Sequence, residues 1–339
     1  MMITVNLPRV LFTDQNIEVA RYGELVVTAR RYPNGIEALT LANSRGYIEL
    51  LPFMGQIIWD ANFDGKSLRM QNMFSKPQVA TQIVDTYGCF VFHSGLLSAG
   101  CPAPEDTHPL HGEFPTATMD EAILEISDQG IRAVSTYEYV QGFGHHYEAK
   151  PSVFLGPQTA LFDIDLQVTN LSKYQVMPLQ YMCHMNYAFV PGAKLLSNLP
   201  EDAFQLRRSV PDHVTPTPQW TRINQEILAG EFDSNSLVGA EAFDPEIVYF
   251  ADNLPQYVGR AEFVMEAPDG TKYSVAFDTV DFPVATRWIL HNEDQKVAAF
   301  VLPGTSRPEG RLAAKKAGTL IELGAGETKR FSVRTGIKE

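Results

Sequence analysis

Cysteine is scarce in this chain: Cys89, Cys101 and Cys183 are the only three in 339 residues, and none forms a Cys-x-x-Cys unit. An odd number so spaced argues against a disulfide framework, a redox motif or a structural zinc site, and buried free thiols are the expectation. Long apolar runs are missing, and no stretch reaches the length of a membrane span. The opening residues Met-Met-Ile-Thr-Val-Asn-Leu-Pro-Arg lack a basic segment followed by a continuous apolar one, so a cytoplasmic location is expected and no membrane partner. Positive charge is in deficit, with 27 Lys and Arg against 40 Asp and Glu. A net charge of -13 speaks against nucleic acid, which is held by clustered cations. Phosphate loops and dinucleotide fingerprints are absent, and Phe92-His93-Ser94-Gly95 is not a nucleophile elbow.

What is present is the period of the strand. Apolar and polar residues alternate strictly from Phe162 to Val168, and similar runs cover Glu24 to Ala29, Ile131 to Tyr139, Ala261 to Glu266 and Lys272 to Phe277. Ala267-Pro-Asp-Gly270, Asp64-Gly65 and Asp128-Gln-Gly130 have the chemistry of tight reversals. Helical periodicity is weak and confined to short stretches such as Gln78 to Val84, and Pro211 to Pro218 reads as a long exposed loop. The whole chain, 1–339, reads as a single all-β domain of two packed antiparallel sheets with few short helices.

The segment Tyr181-Met-Cys-His184-Met-Asn186-Tyr-Ala-Phe ends an extended apolar run with an imidazole and a carboxamide two residues apart. In a strand those two side chains share a face and can converge on one ligand. A histidine is suited to exchanging a proton with a reacting oxygen; the alternative is a core histidine satisfied by a backbone carbonyl. His108-x-x-His111 with Glu113, and the His145-His146 pair, could supply metal ligands as in metal-dependent sugar isomerases. Neither has compact His-x-His spacing with a downstream Glu, so no metal ligand is assigned.

Five segments carry a family resemblance: Pro52-Phe-Met-Gly-Gln-Ile-Ile-Trp59 with Gly65 following, Ser94-Gly-Leu-Leu-Ser-Ala-Gly100, Pro109-Leu-His111-Gly112, Tyr181 to Tyr187, and Leu302-Pro-Gly-Thr-Ser-Arg-Pro-Glu-Gly-Arg311 with Leu323-Gly-Ala-Gly-Glu327. In this order they resemble the galactose mutarotase superfamily, the aldose 1-epimerases, in an uncharacterised branch. The resemblance runs from about residue 20 to the end. It implies a β-supersandwich with an open sugar-binding cleft, no cofactor, a small carbohydrate as partner, and interconversion of the anomers of an aldose; it leaves monomer or homodimer open.

The resemblance further implies roles. His184 would be the acid that protonates the ring oxygen, and His111 would hydrogen-bond the sugar near its reacting end. Asn186, Trp288 and Arg69 are the further substrate-binding candidates, an indole offering its face to the C–H side of a pyranose. Arg207-Arg208 could hold a phosphate. The family's basic glutamate, just before a proline, is matched here by Leu302, which cannot take a proton. Glu113, beside His111-Gly112, is the first nominee for the base and Glu309 the second. A carbohydrate-binding or sensing protein without turnover is the alternative reading.

Overall fold

The computed structural model describes residues 2–211 and 214–339. The alternation centred on Phe162–Val168 forms strand Leu161–Asn170, half-buried and buried by turns along its whole length. The other alternating runs become Leu25–Arg31, Gly130–Val140, Arg260–Glu266 and Lys272–Asp278. Both Asp64 and Gly65 take positive φ, 52° and 74°, the left-handed pair that a two-residue hairpin turn requires.

Two antiparallel sheets result. One has nine strands, with Leu161–Asn170 and Thr328–Lys338 side by side at its middle. The other has thirteen, and five of them carry the site: β1 (Val91–Leu96), β2 (Met177–Met185), β3 (Ile247–Ala251), β4 (Val284–His291) and β5 (Lys296–Gly304), in spatial order β3-β4-β5-β2-β1. A continuous apolar core from Leu7 to Ile337 draws on both sheets. Phe162 stacks on Phe63 of the opposite sheet at 5.9 Å, and such side chains each contribute roughly 1.5–3 kcal/mol on burial. On β2, Tyr181, Cys183 and Met185 belong to this core, while His184 between them turns to the other face. A register slip of one residue would exchange the two sets.

Helices depart from expectation. Gln78 to Val84 forms no α-helix, only a 3-10 turn at Ile83–Thr86, because so few residues cannot offset the cost of helix nucleation. An α-helix does occur at Pro218–Leu228 (α1), capped by Thr217, whose hydroxyl accepts from the Trp220 amide at 3.1 Å. A second covers Arg311–Ala317 (α2). The stretch expected as a long exposed loop is irregular at Pro211 and from Val214 to Thr217 and exposed from Thr215 to Pro218, with Val214 alone buried, at 5% exposure; Asp212 and His213 lie outside the described residues. Cys89 and Cys183 are buried free thiols, while Cys101 is half-buried. No helix among the described residues is long and apolar enough to cross a membrane.

Candidate functional site

The outer face of β2–β5 floors an open cleft of about 670 Å³. Alternation along the strands aims Val248 and Phe250 of β3, Thr286 and Trp288 of β4, and Met182 and His184 of β2 into it. Its rim comes from irregular chain: Tyr87, the segment around Cys101 and His111, residues 207–211 with Val214, and Glu309. Thr286 Oγ1, on the floor, is buried and has no hydrogen-bond partner among the described residues.

His184 is 4% exposed and enclosed by rings. Phe92 of β1 stacks flat against it with centroids 4.4 Å apart, and the His111 ring meets it edge-on at 4.9 Å. Trp288 and Tyr87 approach at 5.7 and 5.9 Å. The Tyr87 hydroxyl hydrogen-bonds His184 Nε2 at 3.2 Å. Burial pushes the imidazole well below its usual range, and the neighbouring His111 adds to this. Opposing both is the Asn186 side chain, which favours the protonated ring, although its Oδ1 and His184 Nδ1 are each buried with no hydrogen-bond partner among the described residues. Asn186 Nδ2 donates to the Cys89 carbonyl at 3.0 Å, so the carboxamide stands behind the histidine rather than in the cleft.

His111 takes a left-handed conformation, φ 64°, followed by Gly112 at 83°. The close approach requires that glycine, because a Cβ there would lie 2.1 Å from the Ser98 carbonyl oxygen. Backbone bonds to Gly95 and Gly100 fix the turn, and the Ser94 hydroxyl meets His111 Nδ1 at 2.9 Å. His184, His111 and Trp288 therefore line one cleft, and Asn186, expected with them, does not.

The same turn explains why Glu113 is not in that cleft. Two successive left-handed residues send it the other way. Its carboxylate accepts the backbone N–H groups of Leu96 and Leu97, at 3.1 and 3.0 Å, and the Tyr147 hydroxyl at 2.7 Å. It holds the chain in place and does not line the cleft. Arg69 is also elsewhere: it pairs with Asp60 at 3.5 Å, lies over the Trp59 ring, and borders a separate depression with Lys296. Glu309 does border the cleft, accepting from the Ser209 hydroxyl at 3.0 Å. Leu302 is 1% exposed in the cleft wall.

Sequence reasoning missed the principal carboxylate, Glu246, just before β3. It lines the cleft with Oε1 accepting from Arg207 Nη2 and Oε2 from Trp288 Nε1, both at 2.7 Å. Its backbone carbonyl accepts from Trp220 Nε1 of α1, also at 2.7 Å. Arg207 is thus committed to a carboxylate rather than held open for a phosphate. Among the described residues no group of three His, Cys, Asp or Glu side chains is placed to hold a metal ion. His108 Nδ1 donates to the Pro109 carbonyl at 2.8 Å, and His146 Nε2 meets Glu138 at 2.7 Å.

The family model of a domain of unknown function, DUF4432, matches residues 33–337. No curated protein matches the chain in sequence. Among solved structures, a Klebsiella pneumoniae protein provisionally assigned as an aldose 1-epimerase superposes with a TM-score of 0.76 at 14% identity, covering 99% of this chain and 91% of that one. A galactose mutarotase-like protein from Clostridium acetobutylicum gives 0.62 at 12% identity over 94% and 100% of the two chains. Galactose 1-epimerase from Lactobacillus acidophilus gives 0.55 at 10% identity over 96% and 98%. At such identities the likeness is one of fold, and that fold is the galactose mutarotase-like β-sandwich.

Proposed function

This chain belongs to the DUF4432 family, and we propose that it is a single-domain, cofactor-independent carbohydrate epimerase that interconverts anomers in the cleft over β2–β5. One observation carries the reading. His184 and His111 meet edge to face at 4.9 Å in the lining of an open cleft, beside an indole and a carboxylate. Trp288 has its N–H committed to Glu246, so its ring is what remains to cover the apolar side of a pyranose. The Glu246 carboxylate lines the same cleft, and Thr286 Oγ1 on its floor supplies another polar contact. Ring opening needs a proton taken from the anomeric hydroxyl and one given to the ring oxygen, and a histidine serves either step.

A second reading has its own support. Leu302 fills the wall where the resemblance places a base, and Glu246 is tied to Arg207 and Trp288, an arrangement that suits recognition of hydroxyls without turnover. The test is a panel of aldoses, ketoses and sugar phosphates, read by thermal shift and by NMR magnetisation transfer between anomers. Enzyme-dependent exchange for at least one sugar is expected. Binding without exchange would favour the recognition protein, and neither would overturn both readings.

A further inference from the structure

We propose that Tyr87 is the catalytic residue that touches the sugar, and that Tyr87 and His184 act as one relay, carrying the anomeric proton to the ring oxygen with no carboxylate base. The proposal rests on the epimerase reading. Its basis is the order in which the two groups stand. His184 is 4% exposed, whereas Tyr87 is half-buried and borders the cleft. The phenol oxygen sits 3.2 Å from Nε2, and Phe92 covers one face of the imidazole. The other nitrogen, Nδ1, is buried and has no hydrogen-bond partner among the described residues. The tyrosine hydroxyl is therefore the group that Nε2 meets in the lining of the cleft.

The protonation states suit a relay. Burial lowers the imidazole and raises the phenol well above its usual range, so at neutral pH the pair rests as neutral histidine and intact O–H. With its proton on Nδ1, the imidazole leaves the Nε2 lone pair to accept the Tyr87 O–H. When the anomeric O–H breaks, its proton passes to the Tyr87 oxygen as the tyrosine's own proton passes to Nε2. The bond from C1 to the ring oxygen breaks, and the carbonyl at C1 forms. The ring oxygen then takes a proton from Tyr87, which recovers one from Nε2. The two sugar oxygens share C1, so one hydroxyl can serve both. One proton has moved between neighbouring oxygens, no charge remains, and the leucine at 302 costs the reaction nothing.

The test pairs a variant with a spectrum. Tyr87→Phe keeps the ring and its contacts but removes the hydroxyl. Anomer exchange should fall roughly 10²-fold or more while sugar affinity stays within about threefold. In protein labelled with ¹⁵N-histidine, His184 should carry its proton on Nδ1, and Tyr87→Phe should move the Nε2 resonance toward that of a nitrogen without a donor. If the wild type exchanges anomers and Tyr87→Phe does so equally well, the relay fails and the epimerase reading stands. If the wild type exchanges none, the epimerase reading fails and takes the catalytic role with it. Should Tyr87→Phe not fold, the wild-type spectrum decides: a proton on Nε2 of His184 overturns the relay, and one on Nδ1 supports it.

Discussion

On the inner face of β1, His93 Nδ1 meets the Tyr181 hydroxyl of β2 at 2.8 Å; on the outer face of the same two strands, His184 Nε2 meets the Tyr87 hydroxyl at 3.2 Å. Both imidazoles are nearly sealed, 1% and 4% exposed, and burial lowers both. The difference lies beyond the tyrosine. Past Tyr181 stand Phe282 and Phe331, with rings at 5.8 and 5.0 Å, and the pair is closed into the core. Past Tyr87 lies the cleft. A histidine–tyrosine pair becomes a candidate for chemistry when one member borders solvent-filled space, and a shifted titration alone does not distinguish the two cases.

Exchanging the consequences of the two pairs tests this contrast. His184→Ala should lower anomer exchange by at least 10²-fold, measured by NMR, while leaving the far-ultraviolet circular dichroism spectrum unchanged. Full activity in that variant would remove the outer pair from the mechanism. His93→Ala should do the reverse, lowering unfolding free energy by about 2–4 kcal/mol through the cavity and the lost bond to the Tyr181 hydroxyl, with exchange per folded molecule preserved.

The two carboxylates sharpen the contrast further. Glu246→Gln should weaken sugar binding roughly tenfold in calorimetric titration, the scale of one hydrogen bond to a charged acceptor. Glu113→Gln should leave binding and exchange untouched but cost about 1–3 kcal/mol in urea unfolding, since a charged acceptor for two amides is lost. An exchange defect in Glu113→Gln would return it to the chemistry.

The last effect is one of pH. His93 is lowered from 6.5 to about 3 in the folded protein, so between those values the unfolded chain binds the extra proton. The stability contributed by keeping it neutral is complete above about 6.5 and is lost as pH falls toward 3, at a slope of about 1.4 kcal/mol per pH unit. His93→Gln should flatten the urea midpoint across that window, and an unchanged slope would show that His93 is not what titrates.

Much of the fold is legible because strand alternation is local and regular: the run from Phe162 to Val168 locates strand Leu161–Asn170 to within two residues at either end. The helix at Pro218–Leu228 carries a readable signal as well, a threonine N-cap followed by proline at the first turn. His184, His111 and Trp288 could be named because their segments carry a resemblance. Glu246 and Tyr87 could not. Asp244-Pro245-Glu246 and Tyr87-Gly88-Cys89 form no motif, and their places depend on β3 pairing with β4 and on a 3-10 turn folding over β1. Glu113 misled for the opposite reason: nearness in sequence to His111 does not survive two consecutive positive φ angles.

Two indole N–H groups converge on one residue: Trp288 donates to the side chain of Glu246 and Trp220 to its backbone carbonyl. The chain has three tryptophans, and the third, Trp59, lies under Arg69 away from the cleft. Intrinsic fluorescence is therefore weighted toward the neighbourhood of Glu246. A sugar that displaces water from the Trp288 face should shift the emission maximum to the blue, and a titration followed at the cuvette would give occupancy with no label and no coupled assay.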